Sequence, residues 1–210
     1  MFKKSVVIKP KKMNIPRFDY KNLVFVSLFV SGLIIGLMII KKDIGLITEI
    51  INPIFKNIII EKNNTSFFEC FINTTSLFLF IPIAVFSLGL CATGVPIIIL
   101  IPAIGGIISG LYVGYLYATY AMQGLGYAAL IIIPAAAIII GTLLKCCVES
   151  IFMSLEIIVS ITSKAKNNSN RNELKEYCLK FLVFLIPFVL AGLINTTCFK
   201  LFGSLFSFVT

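Results

Sequence analysis

The sequence contains no histidine and no tryptophan, and charged residues make up only 13% of its 210 positions. Without histidine, the chain lacks the commonest general base at neutral pH and the commonest protein metal ligand. The HExxH motif of metalloproteases and the serine–histidine pair of intramembrane serine proteases are therefore excluded. The two aspartates, Asp19 and Asp43, lie on either side of the first apolar run, so paired catalytic aspartates are excluded too. We expect no enzymatic activity, no cofactor and no metal.

Six cysteines are present, but no two of them have Cys-x-x-Cys spacing, so neither a redox motif nor a zinc site is indicated. What remains is strongly apolar, with 59% hydrophobic residues and a mean hydropathy of +1.03. Soluble domains carry about 25% charged residues. Several apolar runs approach the ~20 residues that cross ~30 Å of hydrocarbon as a helix. The composition therefore predicts an all-α, polytopic membrane protein.

The apolar runs predict a helical bundle of about five spans within one domain, residues 22–196. The spans are predicted at residues 22–40, 75–92, 95–120, 125–144 and 177–196. Between the first two, isoleucines recur at helical spacing within segment 41–74 (Ile44, Ile47, Ile51, Ile54 and Ile58), which predicts an amphipathic helix on the membrane surface that Pro53 breaks or kinks. Residues 145–176 form the predicted inner loop, of which 145–161 either extend span four or lie at the interface.

Lysine and arginine are distributed unevenly along the chain. The basic tail, residues 1–21, holds seven of them against one acid, and a short tail, 197–210, follows the last span. A cytoplasmic N-terminus places 13 basic residues inside and five outside, which the positive-inside rule favours. We predict N-in, C-out topology, an attraction of the tail to anionic lipid and no nucleic-acid partner. The Ile, Lys, Asn and Phe bias indicates a bacterial source, hence the bacterial cytoplasmic membrane.

Small residues recur every four positions in the third span, at Gly106, Gly110, Gly114 and Ala118. Burial of leucine between membrane helices brings little hydrophobic gain, so helices associate through close contact at small residues. Gly32 and Gly36 give the first span the same spacing. Two interpretations remain: the glycines pack helices within one chain, or they dock a partner protein or a second copy as a homo-oligomer.

Each of spans two to five contains one proline: Pro82, Pro102, Pro134 and Pro187. Proline removes a backbone hydrogen bond and kinks a helix, which either sets crossing angles or opens a polar pathway. Lys145 and Glu149 are four residues apart, and this spacing predicts an ion pair at the inner boundary of span four. The prolines and this pair favour an alternative function, a permease-like subunit of a membrane transporter.

The third and fourth spans resemble the stage II sporulation protein M family of bacterial membrane proteins. The matching features are the Gly94-Val95-Pro96 turn, the glycines at 106, 110 and 114, a glycine-containing turn and then Pro134. The resemblance extends over residues 67–160 and implies a five-span, non-enzymatic scaffold. It also implies partners: the membrane-anchored, peptidoglycan-degrading stage II sporulation proteins D and P, with cell wall remodelling during engulfment as the process.

Overall fold

The computed structural model describes residues 19–42, 44–162, 169–206 and 208, and these form helices without a strand. Most of the basic tail and the middle of the predicted inner loop therefore lie outside the described residues, as do the side chains of Ile44 and Ile47. The prediction of an all-α helical bundle is confirmed.

Six helices make up the described chain. They are α1 (Asp19–Lys42), α2 (Ile44–Asn64), α3 (Phe67–Gly89), α4 (Val95–Tyr127), α5 (Ile133–Thr162) and α6 (Ser169–Phe202). A π-helical turn, Ala128–Ile132, joins α4 to α5, and a 3₁₀ turn, Gly203–Leu205, follows α6.

Four segments of the described chain are long and apolar enough to cross a membrane: Leu23–Lys42, Phe67–Gly89, Val95–Ser160 and Glu173–Leu205. The third is 66 residues long and contains two of the five predicted spans. Its chain reverses at Ala121, where φ is 48° and ψ is −124°. As a result Gly124 packs against the backbone of Leu116, whereas residues eight apart in a straight helix are separated by ~12 Å.

Two element boundaries differ from those predicted, and at a third position one of the two predicted alternatives is found. The segment 41–74 divides at residues 65–66, so its last part begins α3. Residues 145–161 continue α5 without interruption and extend span four rather than form a separate interfacial helix. The polar stretch predicted as loop is helical from Ser169 onward. A helix that has been nucleated adds residues at little cost, and Arg171, Glu173 and Lys175 are good helix formers.

The helices pack as two groups, and buried side chains connect the two groups at each end of the bundle. One group pairs α1 with α4 in parallel, and the other contains α3, α5 and α6. We call the end of the bundle where α2 packs the α2 face, and the opposite end, where α1 begins, the N-terminal face. Buried clusters lie near both, one around Phe55 and Tyr115 and the other around Ile98 and Phe181.

Candidate functional site

The glycines of α1 lie directly against the backbone of α4. A methyl group added to Gly32 would overlap the carbonyl oxygen of Ala103, and one added to Gly36 would lie 3.1 Å from the Cα of Gly110. Backbone atoms cannot move aside as the end of a flexible side chain can. Both positions therefore require glycine for the close approach, and we call this contact the α1–α4 seam.

The glycines of α4 complete the seam from the other side. A methyl group on Gly106 would lie 2.9 Å from the backbone nitrogen of Leu33, and one on Gly110 would overlap the Leu33 carbonyl oxygen. At Gly114 the nearest atoms belong instead to the side chains of Ile40 and Leu37, both at 3.3 Å. Contact between the two backbones is thus limited to two helical turns.

Ala118, which the four-residue spacing placed in the same stripe, lies outside the seam. It is exposed, and Ile40, two residues before the end of α1, lies against Gly114, one turn before Ala118. Within the structure the glycine face of α4 is covered by α1 of the same chain. Of the two interpretations of these glycines, packing of helices within one chain matches this contact.

The four prolines differ in their surroundings. Pro82 and Pro102 are buried in helices that continue through them, and α6 continues through Pro187. Pro134 is the second residue of α5, two positions after the end of the π-helical turn. The wider backbone of that turn accommodates the missing proline donor and relieves the clash of the proline ring with the preceding turn. Asn195 of α6 donates from Nδ2 to the Ile131 carbonyl oxygen of this turn at 3.3 Å.

Glu149 does not pair with Lys145, contrary to the prediction from their spacing. Its carboxylate accepts a 2.8 Å charge-assisted hydrogen bond from Lys180 of α6, and Lys145 is exposed. A pair along one helix gains only a few tenths of a kcal/mol, so a partner on a neighbouring helix readily replaces it. The Glu149–Lys180 pair is itself half-exposed and contributes little to stability.

At the α2 face, a cluster of aromatic rings surrounds Phe55 of α2. The Phe55 side chain is 1% exposed. Its ring centroid lies 5.5–6.2 Å from the centroids of five other rings, those of Tyr112, Tyr115, Tyr120, Tyr127 and Phe208. Edge-to-face aromatic pairs add about 0.5–1.5 kcal/mol beyond the burial of their area. This aromatic cluster fixes α2 against α4 and the C-terminal residues.

Polar contacts fix α2 at two further points. Tyr115 donates its hydroxyl to the Asn52 side-chain oxygen at 3.0 Å. Ten residues further on, Lys62 donates to Oδ1 of the buried Asn195 at 2.8 Å and lies 5.3 Å from the centroid of Phe199. Burial lowers the pKa of Lys62 below its ordinary value, because desolvation disfavours the ammonium ion.

Lys200 of α6 caps the C-terminal end of α2. Its ammonium group donates to the carbonyl oxygens of Lys62 and Thr65, at 2.8 and 2.9 Å. A helix leaves its last carbonyl groups without intrahelical donors, and a cation is favourable there. Together with the Asn195 contact, this cap ties the end of α2 to α6.

Hydrogen bonds also hold the turn at the N-terminal face. Ser154 donates to the Cys91 carbonyl oxygen at 2.7 Å, which fixes the loop between α3 and α4 against α5. The buried hydroxyls of Ser150 and Tyr177 lie 3.0 Å apart, and Tyr177 also donates to the Phe86 carbonyl oxygen at 3.1 Å. Gly89 leaves the room that these two hydroxyls occupy.

The residues that attach α2 were missed in the sequence. Phe55 is the single aromatic residue of a helix rich in isoleucine, and Asn195 is a polar side chain within an apolar run. Either exception marks a position with a specific neighbour, but neither identifies that neighbour. Among the described residues, no group of three or more His, Cys, Asp or Glu side chains could hold a metal.

These features define a class: a helical membrane protein with a glycine-mediated pair of helices and an amphipathic helix fixed across one end. The family model SpoIIM, described as Stage II sporulation protein M, matches residues 24–198. The chain therefore belongs to the stage II sporulation protein M family, and the resemblance found in the sequence is confirmed. Searches of curated proteins and of solved structures find no match to this chain.

Proposed function

We propose that this protein is a multi-pass scaffold of the bacterial cytoplasmic membrane that binds and positions partner membrane or cell-wall proteins. The observation that carries the proposal is the attachment of α2. Phe55 is enclosed by rings and Lys200 caps the helix end, so α2 has a fixed position across the bundle. A fixed helix loses little conformational entropy on binding and is suited to recognition.

The surface of α2 that faces away from the aromatic cluster supports recognition by charge. Glu49 and Lys56 are exposed and seven residues apart, so they lie on one side of the helix. The charge bias of the chain favours a location of this face outside the cytoplasm. Family membership and the earlier resemblance support the choice of partner: the extracytoplasmic parts of the stage II sporulation proteins D and P, in peptidoglycan remodelling during engulfment.

Co-purification tests this proposal. The tagged protein is co-expressed with proteins D and P of its own genome and isolated in mild detergent. We expect both partners to be recovered with the unaltered chain. The double reversal Glu49→Lys and Lys56→Glu keeps the net charge, yet we expect it to lower recovery by about tenfold, or ~1.4 kcal/mol, since it inverts the charge pattern.

The matched control reverses two neighbouring charges at the opposite end of the bundle. Lys175→Glu with Glu176→Lys is also neutral in net charge, and both side chains are exposed on α6. Recovery of the partners with this control is expected to equal that of the unaltered chain. Absence of both partners from the unaltered protein, or equal losses with the two double variants, would contradict the scaffold proposal.

The orientation of the bundle has its own prediction. Cys91 is exposed in the turn at the N-terminal face, whereas Cys70, Cys146 and Cys147 are buried. With the predicted cytoplasmic N-terminus, the N-terminal face lies on the cytoplasmic side of the membrane. A membrane-impermeant maleimide should therefore leave Cys91 unmodified in intact cells and modify it once the membrane is permeabilised. In a Cys91→Ser background, Lys56→Cys on α2 should react in intact cells. If Cys91 instead reacts in intact cells and Lys56→Cys reacts only after permeabilisation, the topology is the inverse of the predicted one.

A further inference from the structure

The residues that follow α6 fold back onto the aromatic cluster. After α6 a 3₁₀ turn runs from Gly203 to Leu205, and the next residue, Phe206, donates its backbone N–H to the Gly203 carbonyl oxygen at 3.2 Å. We call residues 203–206 together with Phe208 the strap. Phe206 is 7% exposed whereas the adjacent Leu205 is 68% exposed. The strap therefore contacts the bundle through its two phenylalanines.

The two rings of the strap lie against rings from other elements. Phe206 is edge-to-face with Tyr127, with centroids 5.5 Å apart. Phe208 stacks on Tyr120, with centroids 4.0 Å apart, and its centroid lies 6.2 Å from that of Phe55. The strap thus supplies part of the enclosure of Phe55.

Gly126 provides the room for the Phe206 ring. A methyl group at Gly126 would lie 3.2 Å from a carbon of that ring. Among the described residues beyond its own stretch of helix, no other side chain or backbone comes within 4 Å of that methyl position. We call Phe55, Tyr120, Gly126 and Tyr127 the aromatic pocket. It accepts one ring beside Gly126 and a second ring against Tyr120.

The chemistry of this pocket favours a particular kind of occupant. Edge-to-face and stacked rings attract each other beyond the burial of their area, and an aliphatic side chain forms neither arrangement. Phe206 has an extended backbone, with φ −107° and ψ 119°. In an extended segment, residues two positions apart point to the same side. The pocket therefore suits two aromatic residues separated by one position.

The strap is attached in a way that permits exchange. The hydrogen bond from Phe206 to Gly203 lies within the strap itself, whereas Lys62 and Lys200 hold α2 to a neighbouring helix. Another segment with the same two rings would restore the ring contacts, and no hydrogen bond named here between the strap and the pocket would be lost.

We infer that the aromatic pocket is a docking site for a partner protein, and that a partner segment with two aromatic residues one position apart displaces the strap from it. This inference rests on the proposed scaffold function and specifies where the partner binds, since Phe55 belongs to both the pocket and α2. Docking then requires release of the strap. A strap that is closed in about nine molecules out of ten lowers the affinity about tenfold.

A synthetic peptide with the sequence of residues 203–210 tests the exchange on the full chain in lipid nanodiscs. The double variant Phe206→Ala with Phe208→Ala opens the pocket. By fluorescence anisotropy, we expect it to bind the labelled peptide about tenfold more tightly than the unaltered chain does. A peptide with both phenylalanines replaced by alanine should not bind. Leu205→Ala, at the exposed strap position, should match the unaltered chain.

Two further variants guard against loss of the fold. Phe208→Ala alone removes the less buried ring and should raise the affinity in the same direction by a smaller factor. Gly126→Leu, added to the double variant, fills the space of the Phe206 ring and should abolish peptide binding. Its matched control is Gly141→Leu, because Gly141 is exposed and has room for a side chain. This control should leave peptide binding unchanged.

The co-purification of the proposed function extends the test to the partner. Opening the pocket with Phe206→Ala and Phe208→Ala should raise partner recovery, and an excess of unlabelled peptide should lower it about tenfold. Adding Gly126→Leu to the open variant should lower recovery as well, and adding Gly141→Leu should not.

Three outcomes would overturn the inference. Equal peptide affinity of the unaltered and open chains, or no binding to either, would show that the strap is a fixed part of the core. Peptide binding with partner recovery unaffected by the peptide would exclude the partner as occupant. A second copy, whose strap has the peptide's sequence, would then be the occupant and give a dimer on size-exclusion chromatography. If no chain recovers a partner, docking fails together with the scaffold function, whereas the peptide measurement still reports exchange of the strap.

Discussion

Replacing Gly110 by leucine is expected to separate α1 from α4 and to lower the stability of the folded protein by about 3 kcal/mol. A methyl group at this position already overlaps the Leu33 carbonyl oxygen and lies 3.2 Å from the Cα of Gly36. The obstacle on both sides is backbone, so a larger side chain must displace the whole helix. For a chain of this length we expect a fall of roughly 10 °C in the midpoint of thermal unfolding in detergent.

The chain contains a matched control for this change. Gly105 lies on the same helix, and apart from its own neighbours along that helix no atom stands within 4 Å of the position that its Cβ would take. Gly105→Leu should change the midpoint little, because surface substitutions usually stay within about 0.5 kcal/mol. Gly114→Ala should be intermediate, since its neighbours are side chains of Ile40 and Leu37 that can shift. Equal midpoints for Gly110→Leu and Gly105→Leu would show that the seam does not hold α1.

Replacing Phe55 by alanine is the second change with a large expected effect. The ring is 1% exposed and lies among five others, so its loss leaves a cavity that rigid aromatic neighbours cannot close. Large-to-small changes at buried phenylalanines cost about 3–5 kcal/mol. We expect α2 to detach, which makes Lys62 accessible to trypsin and speeds cleavage in this helix.

Ile54→Ala provides the comparison for Phe55→Ala, because Ile54 is the preceding residue and its side chain is 56% exposed. Its rate of tryptic cleavage at Lys62 should stay near that of the unaltered protein. If both variants are cleaved at the unaltered rate, then the polar contacts of Lys62 and Lys200 hold α2 without the aromatic cluster. The Phe55 variant should also lose the partners in the co-purification, since the fixed position of α2 carries the proposed function.

Properties that depend on neighbours along one helix were accessible from the sequence. The four-residue spacing of Gly106 and Gly110 marked a smooth face of α4, and Gly32 and Gly36 marked a second one on α1. Spacing also led to the error at Lys145 and Glu149, because it shows which residues are close on a single helix and nothing about competing helices. Lys180, the partner that Glu149 takes, is 31 residues away.

The aromatic cluster shows the opposite case. Its members come from α2, both sides of the Ala121 reversal and the residues after α6, and they meet only because the chain turns back at Ala121. A phenylalanine or tyrosine in an apolar sequence gives no indication of its neighbours, since apolar contact is not directional. The same holds for Asn195, whose carbonyl and ammonium partners lie on two other elements.

By itself, the sequence determined that this protein is an α-helical membrane protein with closely packing glycine faces, because length, hydropathy and residue period are properties of each segment alone. Only the tertiary structure decided that α1 covers the glycine face of α4 and that α2 is fixed by rings from distant segments. These depend on which helices become neighbours, and that choice is made by packing of the whole chain.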